Sequence, residues 1–344
     1  MSSIAESLTD GDYLRGSPFC HGGAQGHKEW WHFCVYGDGV DVLINFSLVD
    51  DVRVGAATGA QCGRLTLLVR GDAWHGEVLQ FAPDAVRAPA GGHHFVFGDN
   101  AVRWRDGRYF IEVNAPSLGI TLSMVMTPEA MPSLANNIAL EDGPPIHWLV
   151  MPRARVDGTM THRGRTHTFQ RAPGYHDHNW GHFRWGQDFA WEWGFALAHD
   201  RTNPWSLVFV RLSNRAHTRA LMQALFLWRG PYQHRVMRGG ELTVRREGLL
   251  RPDTVFKVPR VMRLICPSTA TDVPARLLVD GQGDGDRLRL AFEANDLAQV
   301  IIPNDRTRGQ TIIHEVSGAV SLRGAVRGEE VALEGRGIFE FLGA

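Results

Sequence analysis

The densest grouping of reactive side chains is Tyr175-His176-Asp177-His178-Asn179-Trp180-Gly181-His182, with Trp185 and Trp191-Glu192-Trp193 close behind. In an extended chain side chains alternate, so Tyr175, Asp177 and Asn179 share one face while His176, His178 and Trp180 share the other. A carboxyl group then sits between two hydrogen-bonding neighbours. If that face lines an apolar cavity, desolvation disfavours the carboxylate and keeps Asp177 protonated near neutral pH, as a general acid must be. The structural alternative has Asp177 capping a turn, with Tyr175 and Asn179 completing a hydrogen-bond network at a sheet corner. His176 and His178, with His182 nearby, also have a spacing that metal ligands use. No distant carboxylate and histidine motif completes such a site, so no metal is expected.

The second cluster is Glu29-Trp30-Trp31-His32-Phe33. On a strand, Glu29, Trp31 and Phe33 face one way and Trp30 and His32 the other. Taken as packing, this is a core strand with Glu29 as an ion-paired or hydrogen-bonded edge residue. Taken as function, it is a cavity wall: the chain holds 11 Trp, whose faces can stabilise a developing cation. A third element, Pro144-Pro145-Ile146-His147-Trp148, sets His147 and Trp148 on opposite faces. A hydrogen-bonded core histidine is the plain reading of His147.

Strands must hold these clusters. Short alternating or apolar runs bounded by Gly, Asp and Asn recur at Val40–Val49, Arg64–Arg70, His93–Phe97, Val102–Val113, Gly119–Met126, Ile146–Met151, Ala190–Ala198 and Ser206–Leu212. That spacing predicts antiparallel sheet. Asp106-Gly107 and Asp157-Gly158 are dipeptides that tight hairpin turns favour. The second half repeats the style at Arg287–Phe292, Gln310–Leu322 and Val331–Phe341. Ala216–Trp228 is rich in helix formers without strict alternation, and periodicity leaves helix and buried strand both open there. The 344 residues fit two similar all-β domains, 1–168 and 169–344, parted in the polar stretch Thr161–Pro173.

Composition narrows the function further. With 44% hydrophobic and 21% charged residues the chain is globular in type. A net charge of −1 gives no global field to recruit nucleic acid or an anionic surface. Cys20, Cys34, Cys62 and Cys266 lack paired zinc spacings, and the opening MSSIAESLTDGDYLRG has no basic and apolar leader pattern. The expectation is a cytoplasmic protein with reduced thiols and no integral membrane span, its oligomeric state left open. GxxxxGK[ST], GxGxxG after a strand and HExxH are all missing, and Ala115-x-Ser117-x-Gly119 lacks the first Gly of a nucleophile elbow. No cofactor is therefore expected.

The pairing of EWWHF (Glu29–Phe33) with GYHDHNWGH (Gly174–His182) resembles the lipocalin-like family of carotenoid 1,2-hydratase and AttH-like proteins. The closing Val316-Ser317-Gly318 and Leu333-Glu334-Gly335-Arg336-Gly337 are similar to its last hairpins. Tocopherol cyclase and lipocalin-like Diels–Alderases are more remotely similar. The resemblance implies two tandem lipocalin-like antiparallel β-barrel or sandwich domains with a pocket at or between them. It implies that Tyr175 and Asp177 protonate an alkene, and that an upstream His and Trp, matched by His147 and Trp148, assist. The chain is short for a carotenoid hydratase, so the substrate is not carried over with the acid motif.

The combined expectation is a cofactor-independent hydratase or cyclase acting on a hydrophobic, unsaturated isoprenoid or polyketide-like molecule. Asp177 donates the proton, with Tyr175, Asn179 and His147 assisting. Glu29, Trp31, Trp148, His176, Trp180 and Trp193 line the substrate, and Trp31, Trp180 or Trp193 shields the cation. A pericyclase that merely holds a polyene in a reactive fold, and a non-catalytic lipid or pigment carrier, are the rival readings.

Overall fold

The computed structural model describes residues 3–16, 26–50, 61–140, 143–185, 188–304 and 308–343. The chain folds as two compact units, Met1–Ile138 with Gly143–Phe183, and Arg184–Ala344 with Ala139–Asp142. The expected boundary at 168/169 falls inside a long strand that belongs wholly to the first unit.

The first unit opens with helix α1 (Ile4–Gly11), started by a capping box in which Ser3 Oγ accepts the Glu6 N–H and the Glu6 carboxylate accepts the Ser3 N–H. Its strands are β1 (His27–Tyr36), β2 (Asp41–Asp50), β3 (Gln61–Arg70), β4 (Trp74–Phe81), β5 (Val86–Arg87), β6 (His94–Phe97), β7 (Asn100–Arg105), β8 (Arg108–Ala115), β9 (Ile120–Pro128), β10 (Ser133–Ile138), β11 (Ile146–His162) and β12 (Arg165–His182). They form one sheet in the order β4-β3-β2-β1-β12-β11-β9-β8-β7-β6-β5, with β10 on β11. The inward residues of these strands, Trp31, Phe33, Phe46, Leu65, Phe97, Ile111, Met124 and Met151 among them, make one core.

The second unit contains β13 (Ala190–Ala198), β14 (Trp205–Ser213), β15 (Ala220–Arg229), β16 (Tyr232–Arg238), β17 (Leu242–Glu247), β18 (Phe256–Val258), helix α2 (Met262–Ile265), β19 (Arg276–Gly283), β20 (Asp286–Pro303), β21 (Gln310–Val326) and β22 (Glu329–Gly343). Its sheet runs β16-β15-β14-β13-β22-β21-β20-β19-β17 around a separate core, with β18 parallel to β20. Both units pair their first strand with their last, β1 with β12 and β13 with β22, so the two lobes share a topology. Among the described residues no helix is long and apolar enough to cross a membrane. Cys34, Cys62 and Cys266 are thiols, and Cys20 lies outside the described residues.

Two local expectations change. Ala216–Trp228 resolves as strand: β15 is hydrogen-bonded by β14 on one side and β16 on the other, and those two ladders override helix propensity. Asp106-Gly107 is a hairpin turn with both φ positive, but Asp157-Gly158 is not a turn. It lies within β11, at a register shift against β12. A Cβ on Gly158 would stand 2.3 Å from the Ser123 carbonyl oxygen of β9, so that contact and a φ of 157° require glycine there. The turn that joins β11 to β12 is Arg163-Gly164, at φ 52° and 77°.

Candidate active site

β12 lies between β1 and β11, and residues opposed across an antiparallel ladder share a face. Tyr175, Asp177 and Asn179 stand opposite Cys34, His32 and Trp30 of β1. Asp177 and Asn179 also stand opposite Val150 and Trp148 of β11. This is the sheet face turned away from the core. His176, His178 and Trp180 stand opposite Phe33, Trp31 and Glu29, on the core side. The alternation expected of both motifs is therefore the one observed.

Asp177 is 3% exposed. Tyr175 donates its hydroxyl to Asp177 Oδ2 at 2.8 Å, and Asn179 Nδ2 donates to Oδ1 at 2.9 Å. Both carboxyl oxygens thus face positioned donors. The cross-strand neighbour His32 is held down at about 3 by burial and by the nearby His176, so its imidazole is neutral at physiological pH. Its Nε2 lies 2.9 Å from Cys34 Sγ. Buried Trp148 and half-buried Trp30 flank Asn179.

The sheet divides the expected site. Glu29, Trp31, His147, His176 and Trp180 all lie on the core side of β12, across the backbone from Asp177. Neighbours along a strand point to opposite faces, so these five side chains are not brought together with the Asp177 carboxyl. His147 is half-buried and stacks on Trp180, centroids 5.3 Å apart with planes at 4°. Its Nδ1 accepts the Asn137 N–H at 3.3 Å. Of the expected lining residues in this unit, only Trp148 shares the face of Asp177. Trp193 belongs to the second unit.

The core-side histidines have a partner the motifs did not suggest. Asp12, just past α1, receives His178 Nδ1 at 2.7 Å and His176 Nε2 at 2.9 Å, and the Tyr109 hydroxyl donates to it. The other nitrogen of His178 meets Glu29 Oε1 at 2.9 Å, and Glu29 also binds His27 Nε2 at 3.1 Å. Glu29 further accepts the backbone N–H groups of Arg15 at 2.8 Å and Gly16 at 3.1 Å. Burial pushes Asp12 and Glu29 up, but hydrogen bonds and charge from the histidines outweigh it. Asp12 is held well below the usual range and Glu29 at about 2. Burial lowers His178, yet its two carboxylate partners raise it overall. An imidazolium thus sits between two carboxylates and stacks on Trp31 at 4.1 Å. Such a network anchors residues 12–16 to the sheet, and a lone Asp in Asp10-Gly11-Asp12 carries no local sign of it.

The second unit holds a carboxyl pair of its own, half-buried Glu340 and buried Glu315. Glu340 of β22 stands opposite Glu315 of β21 and Trp193 of β13, and Trp191 Nε1 donates to its Oε2 at 3.0 Å. Burial, then the charge and hydrogen bond of Glu315, push Glu340 well above the usual carboxyl range. Sequence spacing could not have paired residues from different strands in this way.

No family model matches the chain, and no curated protein matches it. Solved structures do. An AttH-like protein from Nitrosomonas europaea superposes with TM-score 0.62 at 13% identity, over 96% of this chain and 97% of that one. CghA, solved with Sch210972, gives 0.58 at 14% identity over 93% and 88%. Kievitone hydratase from Nectria haematococca gives 0.55 at 11% identity over 97% of both chains. The chain has the all-β, two-unit lipocalin-like fold of these three proteins.

Proposed function

We propose that the protein is a cofactor-independent enzyme that protonates a hydrophobic, unsaturated small molecule at the Asp177 face, as a hydratase or cyclase. The observation that carries this reading is the buried Asp177 carboxyl with Tyr175 and Asn179 at its two oxygens. The carboxyl O–H bond breaks as a C–H bond forms on the alkene, leaving a carbocation and the Asp177 carboxylate. Tyr175 and Asn179 stabilise that carboxylate as it appears, which lowers the barrier to proton departure. Trp30 and Trp148 offer aromatic faces beside the cation. Water attacks the cation and returns a proton to Asp177, giving hydration; attack by the substrate's own double bond or hydroxyl, followed by loss of a proton from the cyclised cation to the Asp177 carboxylate, gives cyclisation. Kievitone hydratase, named for a hydratase activity, shares the fold at 11% identity and supports this reading.

The test is product formation by wild type and Asp177→Asn on isoprenoid and polyketide-like polyenes, followed by mass spectrometry. Loss of product in the variant supports acid catalysis. Full activity of Asp177→Asn with a flat pH profile replaces it with a pericyclase, and tight binding without product replaces it with a carrier.

A further inference from the structure

Among the described residues six large hydrophobic side chains are exposed: Leu134, Tyr232, Leu249, Val261, Leu264 and Ile265. Scattered exposed hydrophobics are ordinary, whereas a contiguous group marks an interaction surface. Val261, Leu264 and Ile265 are 56%, 85% and 64% exposed and lie together on α2 and the residue before it. Leu249 opens the same segment.

The segment is built to present them. Leu250 N–H donates to the Val273 carbonyl at 2.9 Å, so the segment lies within a stretch closed at 250 and 273. Lys257, on β18, donates to the carbonyls of Ser268, at 2.6 Å, and of Cys266, pinning the stretch that follows α2. Arg251, Arg260 and Arg263 are exposed alongside, against a single acid, Asp253, in 249–265. The chain as a whole carries −1, so this positive balance is local.

We propose that residues 249–265 dock the protein on an anionic lipid surface, with Val261, Leu264 and Ile265 entering the acyl boundary and the arginines meeting lipid phosphates. Aliphatic side chains flanked by cations are what an interfacial anchor requires. A second copy fits poorly, because a two-fold contact sets like arginines against one another. Three aliphatic side chains without an aromatic anchor are also small for a stable protein interface. The docking stands independently of the reaction proposed above, since lipid binding is read without any substrate.

The experiment is co-sedimentation of the full chain with vesicles of phosphatidylcholine alone and of phosphatidylcholine mixed with phosphatidylglycerol. Wild type is expected to sediment with the mixed vesicles, less so at high salt. Leu264→Glu is expected to weaken binding at least about tenfold. Arg263→Glu is expected to weaken binding to the mixed vesicles, and Tyr232→Glu, outside the patch, to leave it unchanged. Circular dichroism confirms that each variant is folded. The proposal is overturned if wild type binds neither vesicle, if Leu264→Glu binds as wild type does, or if Leu264→Glu instead dissolves a dimer seen by light scattering.

Discussion

Tyr175 and Asp177 stand two residues apart on β12, and the phenol of one donates a 2.8 Å hydrogen bond to the carboxyl of the other. The pair is buried on the sheet face opposite the core. Asp177→Asn keeps the volume and removes the transferable proton, so turnover is expected to fall by about 10² to 10⁴-fold. Tyr175→Phe removes one donor to the forming carboxylate and is expected to lower kcat by about 10²-fold. Rate measurements on variants with unchanged melting temperatures check both.

The two faces of β12 give a second contrast. Trp148→Ala, on the Asp177 face, is expected to lower kcat/KM, whereas His147→Ala, on the core face, is expected to leave kcat within about twofold. Equal losses in both variants would contradict the division of the site by the sheet.

Asp12 joins α1 to the sheet through His176 and His178. Asp12→Asn leaves the buried His178 imidazolium with one carboxylate in place of two. Removing one partner from a buried ion pair costs about 3 to 5 kcal/mol, and urea unfolding of the variant is expected to show a loss on that order.

Acid stability follows from His32 and Glu29. Folded His32 stays neutral down to about 3, whereas the unfolded imidazole takes up a proton below 6.5, so stability falls as pH drops from 6.5 toward 3. Glu29 contributes stability that is present above 4.5 and lost as pH falls through about 2, and Asp12 acts in the same direction. His178 has the opposite sign: its contribution is present below 6.5 and lost as pH rises through its raised value. His32→Gln is expected to flatten the decline that begins near pH 6.5, while Glu29→Gln flattens only the part below about 4.5. Chemical denaturation across pH separates the two windows.

Burial and the neighbouring Glu315 raise the Glu340 carboxyl well above its ordinary value, so stability is lost as pH rises above 4.5 toward its folded value. Glu340→Gln holds a neutral side chain at every pH. Its melting temperature is expected to exceed that of wild type by more at pH 8 than at pH 5.

Much of the architecture was legible in the chain itself. Strict alternation in β8 and β9 follows from one face on the core and one outward, and the Asp106-Gly107 turn follows from two positive φ angles. The same period of two assigned Tyr175, Asp177 and Asn179 to one face, because side-chain direction in a strand is a local property. It could not say that His147 and Trp31 stand behind Asp177, since that depends on which strands β12 pairs with and in which register. Asp157-Gly158 read as a turn because its dipeptide is a local signal, while the ladder with β9 that carries it through β11 is a long-range one. Partners distant in sequence were likewise decided only by folding: Asp12 for His178, 166 residues on, and Glu315 for Glu340 on the neighbouring strand. The sequence determined strand periodicity and which side chains travel together; the tertiary structure decided which of them meet, because contacts between remote strands are set by register and burial, and neither is written in any short stretch of chain.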